Sequence, residues 1–93
     1  MSGTIRMYGT EWCPDCWRSK RVFERLNIPF QWIDITRDHE AQQYVMEVNR
    51  GMRSVPTIVF PDGAILVEPS DSALIKKLAE MGFQEAAWVP RGR

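Results

Sequence analysis

The chain has little that would staple, anchor or charge it. It carries two cysteines, Cys13 and Cys16. A secreted domain of this length would be expected to hold a richer disulfide framework. The two sulfurs are also too close in sequence to staple much of the fold, because closing so short a loop gains little chain entropy. There is one histidine, His39. A zinc site needs four ligands, so His39 and two sulfurs fall short without recruited carboxylates, and no metal is expected. His39 reads as a solvent-facing residue in the first turn of a helix. Neither sign of charge is in excess, with 12 basic and 12 acidic residues. That removes the electrostatic reason to propose nucleic acid or a membrane surface as a partner. No apolar run approaches a membrane span, and Met1 to Thr10 holds no stretch long enough for a signal peptide. The expected compartment is cytoplasmic, where thiols are mostly reduced and a disulfide is more often catalytic than structural.

What is present fits one domain. Ninety-three residues, 44% of them hydrophobic, suffice for a single core. The domain is expected over residues 1–82, with 83–93 as a C-terminal tail that lacks a clear period and docks through Phe83 or Trp88 or stays free. Thr4 to Tyr8 alternates as a first strand. Pro14 suits the first turn of a helix, where its missing N–H has no intrahelical partner to lose. That helix is expected to run to about Asn27, with Cys16, Phe23 and Leu26 near one face. Arg18, Lys20, Arg21 and Arg25, against Glu24, make its remaining surface basic. Phe30 to Ile35 reads as a second strand. Thr36 or Asp38 caps a second helix with the stripe Ala41, Tyr44, Val45 and Val48, ended by Gly51. Thr57 to Phe60 and Ala64 to Val67 pair around Asp62-Gly63, a hairpin signal. Ser70 or Asp71 caps a last helix, with Leu74, Leu78 and Met81 inward and Gly82 at its end. The order is β-α-β-α-β-β-α. It predicts an α/β domain with a small mixed sheet: a parallel right-handed crossover first, an antiparallel hairpin last, helices on both faces.

Cys13-Pro14-Asp15-Cys16 carries the chemistry. A thiol reacts as its thiolate, so the question is what stabilises charge on sulfur. Cys13 falls at the helix N-cap, where free N–H groups and the positive end of the dipole favour an anion. Asp15 opposes this from two residues away. The expectation is a moderately lowered Cys13 thiol and a fairly reducing couple. Cys16 lies one turn deeper on the apolar face, where burial keeps it protonated. Cys13 is thus the expected nucleophile and Cys16 the resolving thiol, with Asp15 or water carrying its proton. Of the flanking tryptophans, Trp12 divides evenly between core and exposed docking surface; Trp17 leans to core or half-burial. Val55-Pro56 reads, on residues alone, as a proline at a strand start. Ser70-Asp71-Ser72 reads as a helix cap, and also as an N-terminus able to take a carboxylate.

These residues resemble the glutaredoxin-like branch of the thioredoxin superfamily, most of all mycoredoxins and NrdH-redoxins. The likeness runs from about Thr4 to Gly82. It is carried by Met7-Tyr8 before Trp12-Cys13, by Val48 to Thr57, by Phe60-Pro61-Asp62-Gly63 and by Pro69-Ser70. The resemblance implies a four-stranded central sheet flanked by three helices, a cis Pro56 beside Cys13, and a Cys13–Cys16 redox-active disulfide. It also implies a low-molecular-weight thiol held along Arg53-Ser54-Val55 and near Ser70-Asp71. Departures stand close to the chemistry. Asp15 replaces the usual tyrosine, and mycoredoxins have glycine and tyrosine where Pro14 and Asp15 stand. Thr10 replaces a frequent lysine. Glu68-Pro69-Ser70-Asp71 replaces a glycine pair and the Cys-Asp-Asp that follows it. These changes remove groups that would hold glutathione, while Trp12 to Cys16 resembles some thioredoxin-related active sites recycled by a flavin reductase.

The expected activity is thiol-disulfide oxidoreduction on protein disulfides or mixed disulfides, by a monomer with no tightly bound cofactor. Its electron donor would be mycothiol, glutathione or a flavin-dependent thioredoxin reductase. Two other readings are an iron–sulfur or metal-binding carrier and a redox-sensing interaction domain.

Overall fold

Alternation along the first strand decides the layering. In the computed structural model, which describes residues 3–83, β1 (Ile5–Gly9) sends Ile5 and Met7 to one face and Tyr8 to the other. The remaining elements are α1 (Pro14–Arg25), β2 (Phe30–Asp34), α2 (His39–Val48), β3 (Thr57–Val59), β4 (Ile65–Val67) and α3 (Asp71–Glu80). This is the expected β-α-β-α-β-β-α order. The sheet runs β2-β1-β3-β4. β1 and β2 are parallel, and β3 is antiparallel to both β1 and β4.

One face of the sheet packs on α1 and α3. Ile5, Met7 and Ile58 meet Phe23, Leu26, Leu74 and Leu78 there. Phe23 is fully buried and stacks on Phe30 with ring centroids 4.8 Å apart. Burying one such side chain contributes about 1.5–3 kcal/mol. The opposite face packs on α2 through Tyr8, Val59, Ala41 and Val45. Tyr8 and Tyr44 lie 5.2 Å apart there, with the Arg6 guanidinium over both rings.

Several boundaries differ from the sequence expectation. α1 stops at Arg25 because Asn27 turns left-handed at φ 58°, so the helix does not reach Asn27. β2 ends at Asp34, whose carboxylate takes the Thr36 N–H and hydroxyl and turns the chain. That occupies Thr36, and Asp38 is the cap of α2, accepting the Ala41 N–H at 3.0 Å. The hairpin strands are shorter by a residue each. Pro61 and Asp62 are the central residues of the turn between them, which the Gly63 N–H closes on the Phe60 carbonyl, with Gly63 itself at φ 93°. Ser70, not Asp71, caps α3. Phe83 packs against the first core cluster; Trp88 and the rest of the expected tail lie outside the described residues.

Candidate functional site

The two sulfurs sit at the start of α1, where the chain leaves β1 through Thr10 to Trp12. Cys13 is the N-cap, extended at φ −93° and ψ 111°, with Pro14 immediately after it. An N-cap side chain normally supplies an oxygen acceptor to the first turn. Here the Cys13 Sγ takes that place, accepting the Cys16 N–H at 3.1 Å. The Cys13 thiol is partly exposed and points at the Val55 carbonyl, 3.7 Å away. Both cysteines are free thiols in this structure.

Cys16 is fully buried. Burial pushes its thiol up to about 12, helped by the hydrogen bond with Cys13 and by the charges of Cys13 and Asp15; the Thr10 backbone pulls the other way. Its seat depends on a residue the sequence reading passed over. At Gly9 a Cβ would stand 2.6 Å from the Cys16 sulfur and 2.7 Å from the Trp32 ring. Only glycine lets the end of β1 approach that closely. The chain itself offered only one hint, a glycine closing a strand pattern.

Val55 and Pro56 come beside Cys13 from the start of β3. The bond between them is cis, as the family resemblance implied and as the residues alone did not. The turn before it is pinned by side chains absent from the expected site. Thr57, fully buried, donates through Oγ1 to the Ser54 carbonyl at 2.7 Å. Asn49 Nδ2 donates to Thr57 Oγ1 at 3.1 Å and to the Val45 carbonyl at 2.9 Å. A hydrogen-bonded chain therefore runs from the end of α2 to the residue before Val55.

The Glu68 N–H donates to the Pro56 carbonyl at 2.8 Å, which draws the loop before α3 to the same side. Glu68 holds a left-handed backbone, φ 50°, in the stretch where the resemblance would put a glycine pair. Ser70 is committed to capping, accepting from the Ala73 N–H. Asp71 is exposed and 4.0 Å from the Arg18 guanidinium, which also holds Asp15 at 2.7 Å. Arg18 therefore spans from the cysteine motif to the start of α3, a role its place in a basic stretch did not reveal. Arg53 is exposed and makes no hydrogen bond or ion pair among the described residues. Cys13, Cys16, Val55 and Pro56 are thus brought together, Ser70 and Asp71 stand alongside, and Arg53, two residues before Val55, is exposed.

Trp12 is 76% exposed and Trp17 54%. Of the two placements expected for Trp17, core or half-buried, the core one is corrected. With Cys16, Ser19 and Phe23 facing inward, the next position falls off the buried face, and its indole N–H donates to the Glu11 carbonyl at 2.9 Å. His39 is exposed at the first position of α2, as expected.

The Glutaredoxin family model matches residues 5–65. Among curated relatives, "Putative glutaredoxin Rv3198A" of Mycobacterium tuberculosis is 33% identical over 81 residues, covering 87% of this chain and 96% of that protein. Mycoredoxin 1 of Corynebacterium glutamicum is 33% identical over 75 residues, covering 80% of this chain and 91% of its own. Among solved structures, the thioredoxin-like protein BC3987 superposes with a TM-score of 0.67 at 24% identity, covering 84% of this chain and 99% of that one. The strand order, the paired cysteines and these likenesses agree: the chain belongs to the glutaredoxin family, whose members are in general thiol-disulfide oxidoreductases.

Proposed function

We propose that this protein reduces protein disulfides or mixed disulfides through Cys13 and Cys16, with Cys13 attacking and Cys16 resolving. The observation that carries the reading is the contrast in placement: Cys13 is reachable at the N-cap, while Cys16 is sealed behind it at hydrogen-bond range. The Cys13 thiolate attacks one sulfur of a substrate disulfide. A Cys13–substrate disulfide forms, and the other substrate sulfur leaves as a thiolate and takes a proton. Cys16 then gives up its proton and attacks the Cys13 sulfur. The Cys13–Cys16 disulfide forms, the second substrate thiol leaves, and two electrons have passed from protein to substrate.

The pairing of Asp15 with Arg18 bears on both steps. It offsets a carboxylate that would otherwise oppose charge on either sulfur. The Val55 carbonyl, aimed at Cys13, offers a backbone edge for an extended substrate, with Arg53, Ser54, Pro56, Ser70 and Asp71 around it as the substrate or thiol surface. The spent disulfide returns to the dithiol by two electrons from mycothiol, glutathione or a flavin-dependent thioredoxin reductase.

The test is a pair of serine variants assayed on a disulfide substrate. Cys13→Ser should abolish reduction, and Cys16→Ser should accumulate a mixed disulfide at Cys13. Full activity in Cys13→Ser sinks the reading. Reduction of the purified disulfide form by each donor in turn identifies the donor. A potential of roughly −270 mV points to a reductase, and roughly −200 to −230 mV to a small thiol.

A further inference from the structure

The cysteines have a second flank. On it lies an open cleft of about 530 Å³ lined by Glu11, Trp12, Trp17, Lys20 and Trp32, with the buried Cys16 beneath them. It shares no residue with the Val55 edge or with Ser70 and Asp71. The sheet order places Trp32 on β2 and the Val55–Pro56 bond at the start of β3, on opposite sides of β1. A substrate lying along Val55 therefore leaves this flank uncovered.

Its chemistry is specific. Lys20 Nζ stands 4.9 Å from the Trp17 ring centroid and 4.4 Å from that of Trp32. Two indole faces hold one ammonium, and the Trp17 indole is itself fixed by its bond to the Glu11 carbonyl. Lys20 makes no ion pair among the described residues, whereas Arg18 on the same helix does. A cation held in place without a carboxylate partner is a ready donor for a charge-assisted hydrogen bond. Arg25 turns away to a groove with Asp71 and Ile75, and one turn past Lys20 on its own face stands Glu24, so the positive charge here is that of Lys20. Trp12 and Trp17 offer large exposed apolar faces beside it, the residue type that anchors protein contacts. Glu11 is the carboxylate on the lining, and it disfavours a densely charged polyanion more than a peptide that alternates acidic and apolar side chains.

We propose that this cleft seats an acidic segment of the disulfide-bearing protein substrate, with a carboxylate on Lys20 and an apolar side chain against Trp12 and Trp17. The inference rests on the dithiol reading above and names the class of substrate it selects.

The test uses two synthetic peptides with the same internal disulfide, one flanked by Asp and Glu beside a leucine, the other by Lys and Arg. The full-length reduced protein is mixed with each, and the ratio of the two reduction rates is taken within each variant, which cancels any loss of overall activity. Wild type should favour the acidic peptide by about two- to fivefold, the range expected of one exposed ion pair. The preference should shrink as ionic strength rises. Lys20→Met and Trp17→Ala should bring the ratio toward one, and Lys20→Glu should reverse it. A wild-type ratio of one, a preference for the basic peptide, or a ratio unmoved by the three variants overturns the proposal while the dithiol reading stands. Failure to reduce either peptide or a small neutral disulfide overturns the dithiol reading and the proposal with it. A dimer in sedimentation that Trp17→Ala disperses would give the cleft to a second copy of the chain, and would also overturn it.

Discussion

Cys13 and Cys16 are the same residue type one helical turn apart, and almost everything around them differs. Cys13 has an N–H donor behind it, a carbonyl in front and solvent beside it. Cys16 has β1 packed so close that a single added carbon would collide with it, and no solvent. The comparison teaches that, on the dithiol reading proposed above, a division of labour between two thiols needs no difference in residue type. It needs one to stand at the helix end and the other to face the core.

The contrast can be broken most strongly from the Cys16 side. Gly9→Ala places a methyl into the sulfur and the Trp32 ring and should destabilise the fold by about 1–3 kcal/mol, the usual cost of overpacking. Chemical denaturation reads the stability. Alkylation should at the same time reach Cys16, which it should spare in the parent. An unchanged midpoint and a still-protected Cys16 would mean the seat is looser than its geometry.

The pH dependence of stability sharpens the same point. Burial raises the Cys16 thiol from its ordinary value to about 12 in the fold. Below the unfolded value both states hold the proton, and the contribution is complete. Between roughly pH 9 and about 12 the unfolded chain has released it and the native chain has not, so stability falls as pH rises, by at most about 1.4 kcal/mol per pH unit from this group. Burial also raises Tyr8, which contributes in the same direction at higher pH. Reduced wild type should therefore lose stability more steeply across that window than Cys16→Ala. Parallel curves would show that Cys16 is not held as a buried thiol.

On the Cys13 side the comparison is weakened more gently. Thr57→Val removes the hydroxyl between Asn49 and the Ser54 carbonyl and should cost about 1–2 kcal/mol. The Val55 carbonyl loses its support, so KM for a peptide disulfide should rise more than kcat falls, while Cys16 stays protected.

The smallest effect belongs to Arg18→Ala. The Arg18–Asp15 pair is half in solvent, so the change in stability should stay below about 0.5 kcal/mol. What it should alter is reactivity. With Asp15 left unpaired, the pH-rate profile should move to higher pH, and Asp15→Asn in the same chain should restore it. A profile that does not move assigns Arg18 to the surface alone.

Much of this arrangement was legible in the residues. Alternation and helical spacing placed all seven elements in order, Pro14 marked the start of α1, and Phe23 and Leu26 shared a face with Cys16, which put the two sulfurs in different surroundings. Local chemistry decided those features, and local chemistry is what a sequence displays. What escaped depends on which elements meet. Gly9 matters because Trp32 crosses from the neighbouring strand. Thr57 and Asn49 matter because the end of α2 lies against the start of β3. Trp17 lies off the buried face of α1, and Lys20 differs from the other surface cations because Trp32 on the neighbouring strand meets it. The cis bond at Pro56 came from family likeness, since nothing in the residues beside it distinguishes cis from trans.

The central claim is that placement in the fold separates the proposed attacker from the proposed resolver, and alkylation of the reduced protein near neutral pH tests it most directly. Mass mapping after brief iodoacetamide treatment should find the label on Cys13 and none on Cys16. Label on Cys16 as early as on Cys13, in a protein that remains folded, would contradict the account.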